Sequence, residues 1–465
     1  MSESEQPRLQ HSLKQRHMTL ISIGGVIGAG LFVGSGVVIG QTGPAAIVSF
    51  ALAGLLAILV MRALGEMAVA RPAVGAFYEY SRIALGPFAG FVTGWLYWYF
   101  WVIVVAVEAV AGAKIVHGWV PGAPLWVLAL GLMLLLTVTN LISVRSYGEF
   151  EYWFASIKVA AIVVFIVLGL VFVLGLWPGE PFDLSHLSSD GGFAPKGAVA
   201  ILAGVVPCVG FFTGAEIVTI AAAESREPAR AVARATNSVI VRVLLFYVGS
   251  VFLVVAIQPW SDKGVQDAPY ASALDAMGVP GAGDIMTVVI LTAVLSALNS
   301  GIYTASRILF ALTGHGDAPR GFTRLNRRGV PVPAILLATV VGYLSVVMAY
   351  VRPNDVFKFL IQSYGTVALF VYLLIAVSQL RMRRALERDD PDRLRLKMWG
   401  FPYLTYVTIA GMAGVIVAMA FLKDTRASFV LSLVTFAAVS AAYLLRRRYG
   451  PDPSTAAPAE SRSGG

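Results

Sequence analysis

Long apolar stretches alternate with short polar segments along almost the whole chain. A helix needs about 20 apolar residues to cross the hydrocarbon core of a bilayer, and twelve stretches reach that length. The predicted spans are residues 18–40, 43–65, 86–115, 124–143, 152–176, 197–222, 235–257, 283–313, 333–351, 354–381, 400–423 and 427–446. The pattern predicts an all-α integral membrane protein with twelve transmembrane helices.

The composition agrees with this fold class and excludes several others. Hydrophobic residues make up 57% of the 465 residues, charged residues make up 13%, and the mean hydropathy is +0.76. A soluble domain carries about 25% charged residues, so a soluble, disordered or coiled-coil chain is excluded. The single cysteine, Cys208, cannot form a disulfide within the chain. The apolar run from Met18 lacks a small-residue cleavage site, so we expect the first span to be retained.

The distribution of basic residues predicts the orientation. The net charge of +9 is compatible with a nucleic-acid surface or with cytoplasmic loops, which retain Lys and Arg. Of the 35 basic residues, those in the predicted outer loops are only Lys114, Lys196, Lys263, Arg352, Lys358, Lys423 and Arg426. This bias predicts a multi-pass plasma-membrane protein with cytoplasmic termini and no nucleic-acid partner. Residues 1–17 form the expected N-terminal arm, and 447–465 form an expected disordered cytoplasmic tail.

Two predicted spans contain helix-breaking residues at corresponding positions. The breaks are rich in glycine and proline and lie at residues 24–30 of the first span and 207–216 of the sixth. Paired broken helices mark the binding site in many transporters that are built from inverted repeats. Because five spans precede the second break, we assign the first repeat to residues 18–176, the second to 197–381, and an appended helix pair to 400–446.

The broken helices predict the chemistry of a ligand. Free backbone amides at a helix start attract anions, so we expect Gly28, Ala29 and Gly30 to bind a carboxylate. Unpaired carbonyls at helix ends near Ile27 and Gly210 favour an ammonium group. One pocket of this kind favours a zwitterion, which describes an amino acid. The alternative for the first break is close helix packing through small residues at four-residue spacing.

Two phenylalanines and one glycine in the second break complete the expected pocket. We expect Phe212 to gate it and Phe211 to set the length of the substrate, with Gly214 permitting the break. The alternative for both phenylalanines is packing against lipid.

Ionisable residues within spans are costly and usually functional. Glu216 lies at the second break and is a candidate for substrate binding and proton coupling. Glu108 either lines the substrate site or reaches toward the outer surface. Lys158 either extends to the inner surface or turns into the bundle, where it would carry a proton. Arg62 and Glu66 lie near an inner end and are expected to anchor loops.

Other function classes lack the residues they need. No histidine pair has metal-ligand spacing, and no nucleophile with a neighbouring base is visible, so neither a metal site nor an enzyme is expected. A channel would need a continuous polar path, and no span carries a polar stripe.

Several motifs in the chain resemble those of amino acid permeases of the amino acid, polyamine and organocation superfamily, most closely bacterial 4-aminobutyrate (GABA) permeases. The resemblance covers residues 13–448. Its motifs are GAGLF at 28–32, YGEFE at 147–151, GAEIVTIAAAES at 214–225, RATNS at 234–238, NSGIYTASR at 299–307 and SQLRMR at 378–383.

The resemblance implies a leucine-transporter-type fold of two five-helix inverted repeats followed by two further helices. It also implies symport of a small zwitterionic amino acid by alternating access, driven by the proton gradient without a cofactor. GABA is the expected substrate, and proline or an aromatic or basic amino acid is the alternative.

The resemblance also implies roles for single residues. Lys158 matches a lysine that approaches the first helix where sodium-coupled relatives bind their ion, which implies proton coupling. Glu216 and Glu224 match glutamates implicated in handling substrate or protons. The matched motif places Asn299 and Ser300 in the substrate site.

Two departures from the resemblance bear on the substrate. Ala297 stands where GABA permeases carry a cysteine, and Phe211 stands where a small polar residue is usual. The family is therefore better defined by these motifs than the substrate is.

Overall fold

A computed structural model describes residues 27–71, 76–142, 145–216, 228–326 and 329–449. All regular secondary structure in these residues is helical. The α-helices of the first half are α1 (Ser35–Thr42), α2 (Ala46–Ala70), α3 (Ala76–Leu85), α4 (Pro87–Trp119), α5 (Leu125–Ile142), α6 (Arg145–Val173) and α7 (Gly197–Phe212).

The second half contains longer spans joined by short helices. Its α-helices are α8 (Pro228–Arg242), α9 (Ser250–Ile257), α10 (Lys263–Asp267), α11 (Pro269–Ala276), α12 (Ala282–Gly314), α13 (Val332–Val351), α14 (Val356–Asp389), α15 (Tyr403–Phe421) and α16 (Lys423–Tyr449). Two π-helical segments, Gly30–Gly34 and Val243–Gly249, continue directly into α1 and α9.

The lengths and apolar character of the helices fit a multi-pass membrane protein. Within the described residues, ten helical segments are long and apolar enough to cross a membrane, and α7 is a shorter apolar helix. The segment Gly30–Ala70 is one of the ten, although the sequence predicts two spans there. Gly43, with a φ of 69°, separates its two parts because this left-handed conformation does not continue a helix.

Some elements differ from the sequence-based expectation. The predicted sixth span, 197–222, ends as a regular helix at Phe212. The predicted seventh span begins earlier, at Pro228, and contains the π-helical segment. The predicted outer loop 258–282 folds into α10 and α11. The Asp262 side chain caps the first turn of α10 by accepting a hydrogen bond from the Gly264 amide.

Two long helices form the centre of the protein. In α4 and α14, 78% of the residues in the apolar stretch are buried, against 11% in α16. Helix α4 packs against α3, α12, α13 and α14, and α14 also packs against α2 and α7. Residues on α4 and α14 therefore face the protein interior, whereas α15 and α16 lie at the periphery.

A buried carboxylate anchors α2 to α14 and, through the Met398 amide, to the segment between α14 and α15. Glu66 is 1% exposed and accepts hydrogen bonds from Arg383 Nη1 at 2.7 Å and from Gln379 Nε2 at 2.8 Å. One turn earlier, Arg62 donates to the carbonyl oxygen of Lys397 at 2.7 Å. Arg62 and Glu66 thus anchor a loop, as the sequence indicates.

Candidate substrate site

Of the predicted first break, the structure describes residues 27–30. The residues from Ile27 to Gly30 are buried, and the Phe32 amide donates to the Gly28 carbonyl oxygen in helical register. The Ala29 amide instead donates to both carboxylate oxygens of Glu108, at 3.1 Å each. A carboxylate from α4 therefore occupies the Ala29 amide, which the sequence predicts to bind an anion.

The glycines of the first break allow close packing against other helices. A Cβ atom on Gly28 would lie 2.6 Å from Glu108 Oε1 and 3.0 Å from the Ala297 Cβ. A Cβ atom on Gly30 would lie 2.6 Å from Phe211 Cδ1 and 3.0 Å from Tyr364 Oη. Real Cβ atoms do not approach so closely, so a side chain at Gly28 would displace the Glu108 carboxylate and one at Gly30 would displace the Phe211 ring.

The second break follows α7. Helix α7 ends at Phe212, Thr213 is extended with a ψ of 138°, and Gly214 has a φ of 108°. Only glycine adopts this φ readily. The break turns the chain so that Glu216 folds back onto its own backbone, and its Oε2 accepts from the Gly214 amide at 2.9 Å.

Two tyrosines from the central helices complete the environment of Glu216. The Tyr97 hydroxyl on α4 donates to Glu216 Oε1 at 2.8 Å, and the Tyr372 hydroxyl on α14 donates to Oε2 at 3.3 Å. Glu216 has no exposed surface. Its carboxylate is thus held by three donors from three separate parts of the chain.

The structure does not bring Glu108 and Glu216 into one cluster. Tyr97 and Glu108 are eleven residues apart on α4, which corresponds to about 16 Å along a helix. Tyr364 lies next to Gly30 of the first break. It is eight residues before Tyr372 on α14, which corresponds to about 12 Å along the helix. The predicted single pocket therefore has two polar centres, one at each broken helix.

A continuous set of buried aromatic rings, here called the aromatic layer, extends between the two centres. Neighbouring ring centroids are 4.5 to 6.3 Å apart. Its members are Tyr97, Phe100, Trp101, Phe50, Phe211, Phe212, Tyr247 and Tyr364. Phe211 and Phe212 are both buried, so neither packs against lipid.

Phe211 is fixed from several sides. Its ring lies against the Gly30 and Gly34 backbone and 5.9 Å from the Tyr364 ring. Its carbonyl oxygen accepts from the Tyr247 hydroxyl at 3.1 Å. Close to it, a Cβ atom on Gly210 would lie 2.8 Å from the Tyr364 ring. The second break is therefore packed directly against the first.

Lys158 lies inside the protein. Its side chain on α6 has 0% exposed surface, and its charge interacts electrostatically with Glu108. It does not extend to the inner surface. The backbone around Ser22 to Gly25, to which the sequence suggests its amine bonds, lies outside the described residues, as does Glu224.

The predicted residues on α12 face different neighbours. Asn299 Oδ1 accepts from Asn140 Nδ2 at 2.7 Å, so this side chain pairs with α5 rather than with either break. Ser300 is buried, and Ala297 is the α12 residue that meets Gly28.

Sequence reasoning missed three tyrosines of the site, Tyr97, Tyr364 and Tyr372. For Tyr97 a signal exists, since eleven residues are close to three helical turns and place it on the same face of α4 as Glu108. Within the described part of the chain, no three His, Cys, Asp or Glu side chains are grouped as metal ligands would be.

Comparison with known proteins identifies the family. The amino acid permease family matches residues 17–449. The chain belongs to this family. The permease is 51% identical over 444 residues to the gamma-aminobutyric acid permease of Bacillus subtilis, covering 95% of each chain. It is 49% identical over 424 residues to the gamma-aminobutyric acid permease of Escherichia coli, covering 90% of this chain and 91% of the relative.

A third relative has a similar name. The probable GABA permease of Pseudomonas aeruginosa is 48% identical over 444 residues, covering 95% of this permease and 93% of the relative. The permease is therefore a membrane transporter of amino acids and not an enzyme, as the sequence motifs indicate.

Proposed function

We propose that this permease imports GABA together with protons across the plasma membrane by alternating access. The observation that carries the proposal is that the Ala29 amide, at the first helix break, donates hydrogen bonds to a carboxylate. A backbone amide that binds the Glu108 carboxylate offers the same chemistry to the carboxylate of an amino acid.

The carboxylate end of the substrate binds at Gly28, Ala29 and Gly30. Glu108 covers the backbone at Gly28 and Phe211 covers it at Gly30, so both side chains must move for a substrate carboxylate to reach these positions. Binding requires the Glu108 carboxylate to move aside or to lose its charge, because two carboxylates cannot share one amide donor without repulsion.

The ammonium end lies toward the second break. The carbonyl oxygen of Ile27 is the proposed acceptor for an ammonium group, and Glu216 supplies a negative charge farther inward. The expected unpaired carbonyls near Gly210 are already bonded, because the Gly210 oxygen accepts from the Thr213 amide and the Phe211 oxygen accepts from the Tyr247 hydroxyl. Phe211 packs against Gly30 and so bounds the space next to the carboxylate position. A ring at this position limits how far the carbon chain of a substrate extends.

The names of its relatives favour GABA over other amino acids as the substrate of this permease. Three of them, at 48 to 51% identity over at least 90% of this chain, are named as GABA permeases. Proline and aromatic or basic amino acids are the competing substrates.

Alternating access follows from the proposed architecture. Twelve helices form two inverted repeats, residues 18–176 and 197–381, and an appended pair in 400–446, with both termini in the cytoplasm. The peripheral position of α15 and α16 supports the appended pair. Passage from the first polar centre to Glu216 requires the aromatic layer to rearrange, with Phe212 acting as its gate.

Lys158 couples this motion to protons. Its buried ammonium interacts with Glu108, whose carboxylate accepts from the Ala29 amide of the first break, so we infer that it substitutes for the cation that a sodium-driven transporter would bind. Loss of its proton weakens that interaction and favours opening of the site. Glu216 is the second proton-handling group.

The test is uptake of labelled GABA into proteoliposomes, with competition by unlabelled amino acids. The proposal predicts saturable uptake that GABA inhibits more strongly than proline, phenylalanine or arginine. Stronger inhibition by one of these three would reassign the substrate within the same family.

A further inference from the structure

Tyr364 on α14 presents its hydroxyl group to the first helix break. A Cβ atom on Gly30 would lie 3.0 Å from Tyr364 Oη, and the tyrosine side chain is only 4% exposed. The hydroxyls of Tyr97, Tyr247 and Tyr372 all donate to acceptors within the protein. The Tyr364 hydroxyl makes no hydrogen bond in the described part of the chain. A buried hydroxyl without a partner destabilises the protein unless a ligand supplies one.

The ring of Tyr364 is fixed by its neighbours. Its centroid lies 5.9 Å from that of Phe211 and 5.5 Å from that of Phe100. On another side, a Cβ atom on Gly210 would lie 2.8 Å from Tyr364 Cε2. The hydroxyl oxygen of a tyrosine lies on the axis of its ring, so a fixed ring also fixes the oxygen. The hydroxyl therefore stays at the first break.

The surroundings of this hydroxyl already include a carboxylate. Tyr364 interacts electrostatically with Glu108, whose two oxygens accept from the Ala29 amide. Gly30 directly follows Ala29, so the hydroxyl and the amide lie at neighbouring residues of the break. A carboxylate has about four acceptor sites, and the amides at residues 28–30 are three donors. An incoming carboxylate that replaces Glu108 there can accept from one donor more.

We propose that the Tyr364 hydroxyl donates a hydrogen bond to the carboxylate of the bound substrate, beside the amides of the first break. This inference rests on the proposed function, and it adds a side-chain donor to a site otherwise built from backbone amides. Hydrogen bonds to a charged acceptor are stronger than those between neutral groups. Because this bond forms only with substrate present, it contributes to affinity and not to the stability of the ligand-free protein.

The test compares Tyr364→Phe with Tyr343→Phe in the purified full-length permease. Each variant keeps an aromatic ring and loses one hydroxyl. The Tyr343 hydroxyl donates to Thr137 Oγ1 at 3.1 Å, at the contact between α13 and α5, so it stabilises the protein outside the site. Calorimetry gives the Kd for GABA, and thermal unfolding in detergent gives the Tm of the ligand-free protein.

The two variants should show opposite patterns. For Tyr364→Phe we expect the Kd for GABA to rise about tenfold, with a ligand-free Tm at or above that of wild type. For Tyr343→Phe we expect a Kd within about twofold of wild type and a lower Tm. A Kd within about twofold of wild type for Tyr364→Phe would overturn the assignment. A raised Kd together with a lowered Tm would also overturn it, because the hydroxyl would then be structural.

A double variant separates the substrate carboxylate from Glu108. If the hydroxyl instead held the displaced Glu108 side chain, its loss would matter only while Glu108 is present. We expect Tyr364→Phe to raise the Kd about tenfold in the Glu108→Ala background as well. A factor near one in that background would overturn the proposal. Wild-type protein that binds neither GABA nor another amino acid would overturn the proposed function, and this inference with it.

Discussion

Both carboxylate oxygens of Glu108 lie 3.1 Å from the backbone nitrogen of Ala29. Glu108 comes from α4, so a side chain of the central helix occupies the amide at the first helix break. Gly28 makes this contact possible because any larger residue would collide with the carboxylate. The Ala29 amide cannot bind the Glu108 carboxylate and a substrate carboxylate together while both are ionised, because the two negative charges repel each other.

Glu108→Gln should therefore bind GABA more tightly at neutral pH. The glutamine keeps an oxygen that accepts from the Ala29 amide but removes the negative charge that repels the substrate carboxylate. We expect the Kd to fall by about tenfold, measured by calorimetry on purified protein. Glu180→Gln, in an exposed outer loop, is the matched control and should bind like wild type. Weaker binding by Glu108→Gln would show that Glu108 pairs with the substrate ammonium instead.

Adding a single methyl group at Gly30 should weaken substrate binding. The methyl group of Gly30→Ala would meet Phe211 and Tyr364 at 3.0 Å or less. The crowding must displace Phe211, so we expect GABA affinity to fall by about tenfold or more, and Gly30→Leu to abolish binding. Gly131→Ala on α5 adds the same methyl group where no atom lies within 4 Å. Wild-type affinity in Gly30→Ala, alongside Gly131→Ala, would remove the carboxylate site from this position.

Phe211→Ser should change which chain lengths the permease accepts. The substitution opens space beside Gly30 and Tyr364, so longer ω-amino acids should gain relative to GABA. The measurement is inhibition of labelled GABA uptake by amino acids that are one carbon shorter and one carbon longer. Phe182→Ser, on an exposed outer segment, should leave the order unchanged. If Phe211→Ser keeps the wild-type order as well, Phe211 does not select substrates.

Lys158→Ala should separate binding from proton-driven accumulation. The variant loses the buried ammonium that interacts with Glu108 but keeps the amides of the first break. GABA binding should persist, whereas accumulation against an imposed pH gradient should be lost. Lys358→Ala removes an exposed lysine and should accumulate GABA normally. Equal accumulation by Lys158→Ala and wild type would leave Glu108 or Glu216 as the proton carrier.

The ion pair between Glu66 and Arg383 should contribute to stability rather than to transport. Removing one partner of a buried pair leaves an uncompensated charge and costs about 3 kcal/mol. Glu66→Gln should therefore lower the Tm in detergent by several degrees. Asp389→Asn breaks the exposed pair with Arg388 and should change the free energy of unfolding by less than about 1 kcal/mol. Similar Tm values for both variants would contradict the anchoring role of Glu66.

The sequence predicts the features that depend on local signals. Span positions follow from apolar length, and the two breaks follow from glycine and proline, which act on the backbone at their own positions. The end of α7 at Phe212 and the φ of 108° at Gly214 lie inside the predicted second break. The family prediction is confirmed by the match over residues 17–449.

The partners of the site residues depend on long-range packing. Tyr97 and Tyr372 lie 119 and 156 residues from Glu216 along the chain. Which face of α4 and α14 turns inward is set by all their neighbours together, so one helix alone does not define these contacts. The separation into two polar centres has the same origin. For Lys158, both orientations fit the apolar pattern, and only the packing of α6 shows that the side chain is buried.

Accumulation of labelled GABA by wild-type proteoliposomes under an imposed pH gradient tests the central claim most directly. With the outside acidic, proton-coupled symport predicts internal GABA above the external concentration, and a protonophore should abolish that excess. The internal concentration would instead level off at the external value, with or without the gradient, if the permease moved GABA without protons, and that result would contradict the account.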